Sequence, residues 1–169
     1  MDIVVLDNDA DAEEIKDYIA DQHDRFTLEP LPNRSHKKLW FNLHWGRDLK
    51  CKVDIITSGR YTDLQIPKIP KNDIVYLNNR DIPVVPFLVL LILKVQGWWD
   101  RTNKSYWKKV ARDRGDTNRL LEMTDDDDHL DYFRRYPMWF LRHAQELVKL
   151  YTDSYPGKAY SFRQLGFDV

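Results

Sequence analysis

Cysteine is nearly absent from this chain: Cys51 stands alone in 169 residues. A lone thiol excludes an intramolecular disulfide. The simplest expectation is therefore a reducing, cytoplasmic compartment, with Cys51 a small apolar residue in a strand. A long hydrophobic run is also missing. The most apolar stretch, IPVVPFLVLLIL, holds two prolines. It falls well short of the roughly 20 residues that span a bilayer, so no membrane segment is expected. The N-terminal MDIVVLDNDADAEE carries acids where a secretory or transit signal would carry bases. Neither sign of charge dominates, since 26 Lys and Arg face 27 Asp and Glu. The formal net charge of −1 argues against binding nucleic acid through bulk charge and leaves a local basic patch open. There is no Walker loop, no GxSxG elbow and no dinucleotide fingerprint. His23, His36, His44, His129 and His143 are scattered without metal-ligand spacing.

What is present is a chain in two halves. Asp2 to Leu6 reads as a short β-branched strand. DADAEEIKDYIADQ then sets Ala12, Ile15, Tyr18 and Ile19 at helical spacing, with acids at the positive helix end. Asp7 and Asp9 read as capping residues. RFTLEP and KLWFNLHW read as strands, GRD as a turn, and LKCKVDIIT as the hairpin partner after it. A proline-marked loop and the extended IVYLNNRDIPVV close this half. The second half is helical. Pro86 suits the first turn of PFLVLLILKVQGWWDR, a helix apolar enough to be buried. SYWKKVARDRGDTNRLLEM is a second helix. TDDDDHLDYFRRY starts a third with Thr124 as N-cap. Pro137 either kinks that helix or begins a fourth, PMWFLRHAQELVKLYTDSYP. The tail GKAYSFRQLGFDV shows no clear period. This pattern predicts an α+β fold: a small mixed sheet over residues 1–85, then a helical region over 86–169.

Three acidic features compete for chemistry: Asp2 at the head of the first strand, Asp54 within KVDIIT, and the run Asp125–Asp128. The run Asp125–Asp128 suits a solvated helix start better than a metal site, because hard cations need converging oxygens. Asp54 interrupts an apolar strand. Alternation puts Lys50, Lys52 and Asp54 on one face and Cys51, Val53 and Ile55 on the other. Asp54 is then either a surface acid paired with Lys52 or Lys50, or one of two carboxylates from neighbouring strands that together hold Mg²⁺.

The stretches MDIVVLDNDADAEEIKDYI and KVDIIT resemble two strands of the nucleotidyltransferase superfamily with the DNA polymerase β-like fold. In that family the first carries a DxD pair and the second a third carboxylate. IPVVPFLVLLILKVQGWWDR and RDRGDTNRLL are similar to the helical part of the AbiEii-toxin-like branch, in which a Lys-bearing helix precedes an RDxxDxxxLL helix. Fungal proteins carrying this domain are similar too. The resemblance implies that Asp2 is the second acid of the pair and Asp54 the third carboxylate. Both would hold Mg²⁺ or Mn²⁺ with a nucleoside triphosphate as substrate. Lys94 would meet a nucleotide phosphate or snorkel at a helix edge. Asp113 and Asp116 would line the nucleotide site, or fix helix packing by pairing with Arg112 or Arg114. An active enzyme would transfer a nucleotidyl group to a hydroxyl on RNA, protein or a small molecule. The family's Gly-Ser turn and first Asp precede the DxD strand, so the chain is expected to be N-terminally truncated relative to the family.

Two other readings stand beside this one. The chain is a catalytically inactive remnant that binds a nucleotide, a nucleic acid or a protein, or it is a plain interaction module with surface acids. In the nucleic-acid version, Trp40, Trp98, Trp99, Trp107 and Trp139 stack bases. Lys104, Lys108, Lys109, Arg112, Arg114 and Arg119 then form the basic surface. Otherwise most of these Trp residues are core.

Overall fold

The computed structural model describes residues 1–6, 10–32, 35–44, 49–62, 64–76, 83–102, 106–123 and 135–169. Asp7, Asp9, the GRD turn, Lys104, Thr124, the Asp125–Asp128 run and His129 lie outside the described residues. The fold is α+β, and the chain divides into two compact units, Met1–Lys68 and Ile69–Val169. Residues 69–85, read with the first half from sequence, therefore group with the helical unit.

Among the described residues, the first unit holds one sheet and one helix. Its elements are β1 (Asp2–Val5), α1 (Ala12–Gln22), β2 (Phe26–Pro30), β3 (Lys37–Asn42) and β4 (Lys50–Thr57). The sheet order is β1-β4-β3-β2. β2, β3 and β4 form an antiparallel meander, and β1 pairs parallel with β4. A parallel pair needs a crossover, and α1 lies in it. Asp11 caps α1, its carboxylate accepting from Glu13 N at 2.6 Å and Glu14 N at 3.2 Å. Ala12, Ile15, Ile19 and Ala20 of α1 pack against Leu39, Val53 and Ile55, together with Ile3, Val5, Phe26, Leu28 and Phe41. Every second residue of each strand thus faces the helix, and the intervening residues form the opposite, polar face.

Among the described residues, the second unit holds a two-stranded ribbon, β5 (Val75–Tyr76) and β6 (Pro83–Val84), and four α-helices. They are α2 (Phe87–Thr102), α3 (Trp107–Glu122), α4 (Met138–Ser154) and α5 (Ala159–Gln164). Pro86 stands just before α2, where its carbonyl accepts from Leu90 N at 3.0 Å. α2 is apolar almost all round and buries Leu88, Val89, Leu91, Ile92, Val95, Gln96 and Trp98 while packing on α3 and α4. Pro137 begins α4 rather than kinking a longer helix. The tail also differs from its expectation. It forms α5, with Phe162, Leu165 and Phe167 buried. A six-residue helix is too short to show a period in sequence.

Aromatic rings fill the interior of this unit. Trp98 meets Tyr151 edge-on at 4.9 Å between centroids, and Tyr151 meets Phe162 at 5.8 Å. Burial pushes the Tyr151 hydroxyl up to about 12, so it stays protonated across the physiological range. His143 on α4 lies half-buried, with Nε2 3.5 Å from Gln96 Oε1. Burial pulls its pKa below 6.5, against the opposing pull of Glu146 and Asp100. Protonation therefore favours the unfolded chain. The contribution is fully present above the unfolded value of 6.5 and is lost as pH falls from there through the lower folded value. Urea midpoints measured from about pH 8 down to about pH 5 should fall, and His143→Gln should flatten that slope. An unchanged slope would assign the acid sensitivity to other groups.

Candidate functional site

The β1–β4 register brings two carboxylates together. Asp2 is the register partner of Asp54, followed by Ile3↔Ile55, Val4↔Ile56 and Val5↔Thr57. Partners in a parallel pair share a face, with strands about 4.8 Å apart. Ile3, Val5, Val53 and Ile55 face α1, so Asp2 and Asp54 lie on the polar face by alternation. Here the Val-Ile strand tolerates its acid because the acid points away from the core. The Asp54 side chain is 45% exposed and takes the Lys52 ammonium at 2.5 Å. Lys52, the expected surface partner, holds Asp54 in this state.

The same face continues across the sheet. Trp40 is the register partner of Lys52. Its indole N–H donates to Glu29 Oε2 at 2.7 Å, and Lys38 reaches Glu29 Oε1 at 3.4 Å. The indole hydrogen bond and then the Lys38 ammonium hold the Glu29 carboxyl below its usual range. The face thus presents the Asp2–Asp54 pair, Glu29, the lysines Lys38, Lys50 and Lys52, and the Trp40 indole. Two carboxylates on one face are the protein share of a Mg²⁺ site, since that ion binds through one or two carboxylates with water and phosphate oxygens completing its shell. The two acids are the kind of donor such an ion takes. Among the described residues there is no cluster of three or more His, Cys, Asp or Glu placed to hold a metal.

Comparison with protein-family models, with curated proteins and with solved structures finds no match.

The remaining candidates lie in the second unit and form ion pairs between α2 and α3. Lys94 on α2 pairs with Asp116 on α3 at 3.0 Å. Asp113, 5% exposed, takes Arg101 of α2. The expected partners, Arg112 and Arg114, do not pair with these acids among the described residues. Neighbours in a helix point about 100° apart, whereas residues of a facing helix point inward. Gly97 makes room for the buried pair: a Cβ there would sit 3.1 Å from Arg101 Nη1. A glycine four residues before Arg101 was the available sequence signal. The Trp residues also divide, with Trp98 2% exposed and Trp107 72% exposed. Trp107 is therefore not a core residue. No helix among the described residues is long and apolar enough to cross a membrane.

Two outcomes follow. Arg101→Ala leaves a buried carboxylate unpaired and should lower stability by about 2–4 kcal/mol, whereas Lys94→Ala should lower it by less than about 1 kcal/mol. Equal losses in urea titrations would contradict the difference in burial. Asp2 and Asp54 are like charges in register, which destabilises a sheet by a few tenths of a kcal/mol or more. Mn²⁺ should therefore raise the melting temperature of the native chain and leave that of Asp54→Ala unchanged. An equal rise in both proteins would place the ion elsewhere.

Proposed function

We propose that the Asp2–Asp54 pair binds a divalent cation carried by a nucleoside triphosphate, and that the chain is a nucleotidyltransferase-type domain. The register pairing of the two acids on the polar sheet face carries this reading. A bound Mg²⁺ or Mn²⁺ would neutralise phosphate charge and align attack with departure. The chain's own groups do the rest. Asp2 and Asp54 would hold the cation from neighbouring strands. Lys52, paired with Asp54, would stand close enough to meet a phosphate oxygen of the bound nucleotide. Trp40, across from Lys52, offers a ring to the base. In the resembled family the acid at Asp54 also helps activate the acceptor hydroxyl, which would belong to RNA, a protein or a small molecule.

The donor count favours a second reading. Two acids, with no larger cluster among the described residues, suit nucleotide binding without turnover. Transfer needs reactants held in near-attack geometry, which tolerates little misplacement.

Calorimetric titration of Mn²⁺ with ATP or GTP, on the native chain and on Asp54→Ala, tests the site. Binding in the native chain that vanishes in the variant is expected. Absence of binding in the native chain, or equal binding in both, would overturn the proposal. Transfer of an α-phosphate label to added RNA or to the chain itself then separates the enzyme from the nucleotide-binding module.

A further inference from the structure

We infer that the outward face of α3 is a docking surface for single-stranded nucleic acid. α3 buries Asp113, Thr117 and Leu121 and packs on α2. At 100° per residue, Lys108, Arg112, Gly115 and Arg119 run along the opposite side. Lys108 and Arg112 lie about 6 Å apart along the axis, and Arg112 and Arg119 about 10 Å. Such a row of cations can follow a phosphate backbone.

The helix sorts its charges by direction. Lys108, Lys109, Arg112, Arg114 and Arg119 are the cations of Trp107–Glu122, and Asp113, Asp116 and Glu122 are its acids. Asp113 is turned inward to Arg101 of α2. Asp116 takes Lys94 at 3.0 Å and lies 3.7 Å from Arg119, whose side chain remains 80% exposed. Glu122, in the last turn, is left as the outward acid. A chain of net charge −1 thus carries a concentrated positive stripe.

Aromatic rings stand at the head of that stripe. Tyr106 and Trp107 are 56% and 72% exposed. The Lys108 ammonium lies 5.3 Å from the Trp107 ring centre, and Lys109 lies 5.7 Å from that of Tyr106. Exposed rings interleaved with cations suit unpaired bases, which offer their faces for stacking. A duplex keeps those faces covered. Gly115 sits mid-stripe, and a Cβ there would meet no atom within 4 Å. A backbone can therefore approach α3 closely at that point. A membrane surface fits less well, because an interfacial helix inserts an apolar face, and that of α3 is packed on α2.

The test is fluorescence anisotropy of a labelled, unstructured RNA of about 15 nucleotides titrated with the full chain at low salt. Binding is expected, with log affinity falling against log salt at a slope near −2, about −0.7 for each of three phosphates. Arg112→Glu with Arg119→Glu should weaken binding at least about tenfold, and Trp107→Ala by about tenfold. Gly115→Glu improves helix propensity while blocking the stripe, so its loss of binding would not reflect unfolding. Lys149→Glu on α4 should leave binding unchanged. Three results would each overturn the inference: no RNA binding, equal binding by the α3 variants, or tighter binding to duplex or to phosphatidylserine vesicles. Asp54→Ala should keep RNA binding, and the α3 variants should keep nucleotide binding, so the two sites fail separately.

Discussion

The parallel pairing of β1 with β4 is the constraint on which the first unit depends. β4 is the strand that β1 and β3 share, so its apolar face decides what its neighbours present to α1. Val53 and Ile55 need apolar partners, and Ile3 and Val5 supply them. Because the side-chain period is two, that match leaves Asp2 beside Asp54 on the other face. A slip of one residue would turn Asp2 toward the core and move Ile3 into the polar face. Hydrophobic register therefore overrides repulsion between the acids, an arrangement that a cation would relieve.

The second unit solves a different problem. α2 is apolar on nearly every side, and such a helix could slide or rotate against its neighbours with little penalty. Directional contacts to α3 oppose that freedom: Arg101 with the buried Asp113, and Lys94 with Asp116. The buried pair adds little net stability, since desolvation offsets much of its attraction. Its effect is to make the wrong packing expensive, because a displaced Asp113 would be a buried, unpaired charge. Gly97 belongs to the same device, since a larger residue would crowd the guanidinium.

Much of this was legible in the sequence, for identifiable reasons. The meander strands alternate cleanly, so the faces of Lys52, Val53, Asp54 and Ile55 follow from parity. The burial of α2 follows from its composition. The pairing of Asp2 with Asp54 was not legible from pattern, because residues about fifty positions apart meet only through a crossover. In the sequence, only the resemblance implies that pair. Asp113 and Asp116 take Arg101 and Lys94 rather than Arg112 or Arg114 because adjacent arginines are near in sequence but diverge around the helix. The roles of Trp98 and Trp107 were hard to separate by type. Their positions decide: one lies mid-helix on the face toward α4, the other at the exposed head of α3.

The Lys52–Asp54 pair supports a surface role and a functional one together. A half-exposed ion pair contributes at most about 1 kcal/mol, so little holds Lys52 in place against a stronger ligand. A divalent ion offers Asp54 twice the charge and offers Asp2 a share of it. On the proposed reading, an ammonium displaced by the ion would stand beside whatever anion the ion carries. An apolar neighbour at position 52 would leave the two acids unscreened and would give that anion no partner. The lysine would thus shield the acids without a cation and meet its phosphate with one, which suits a cation that arrives already bound to phosphate.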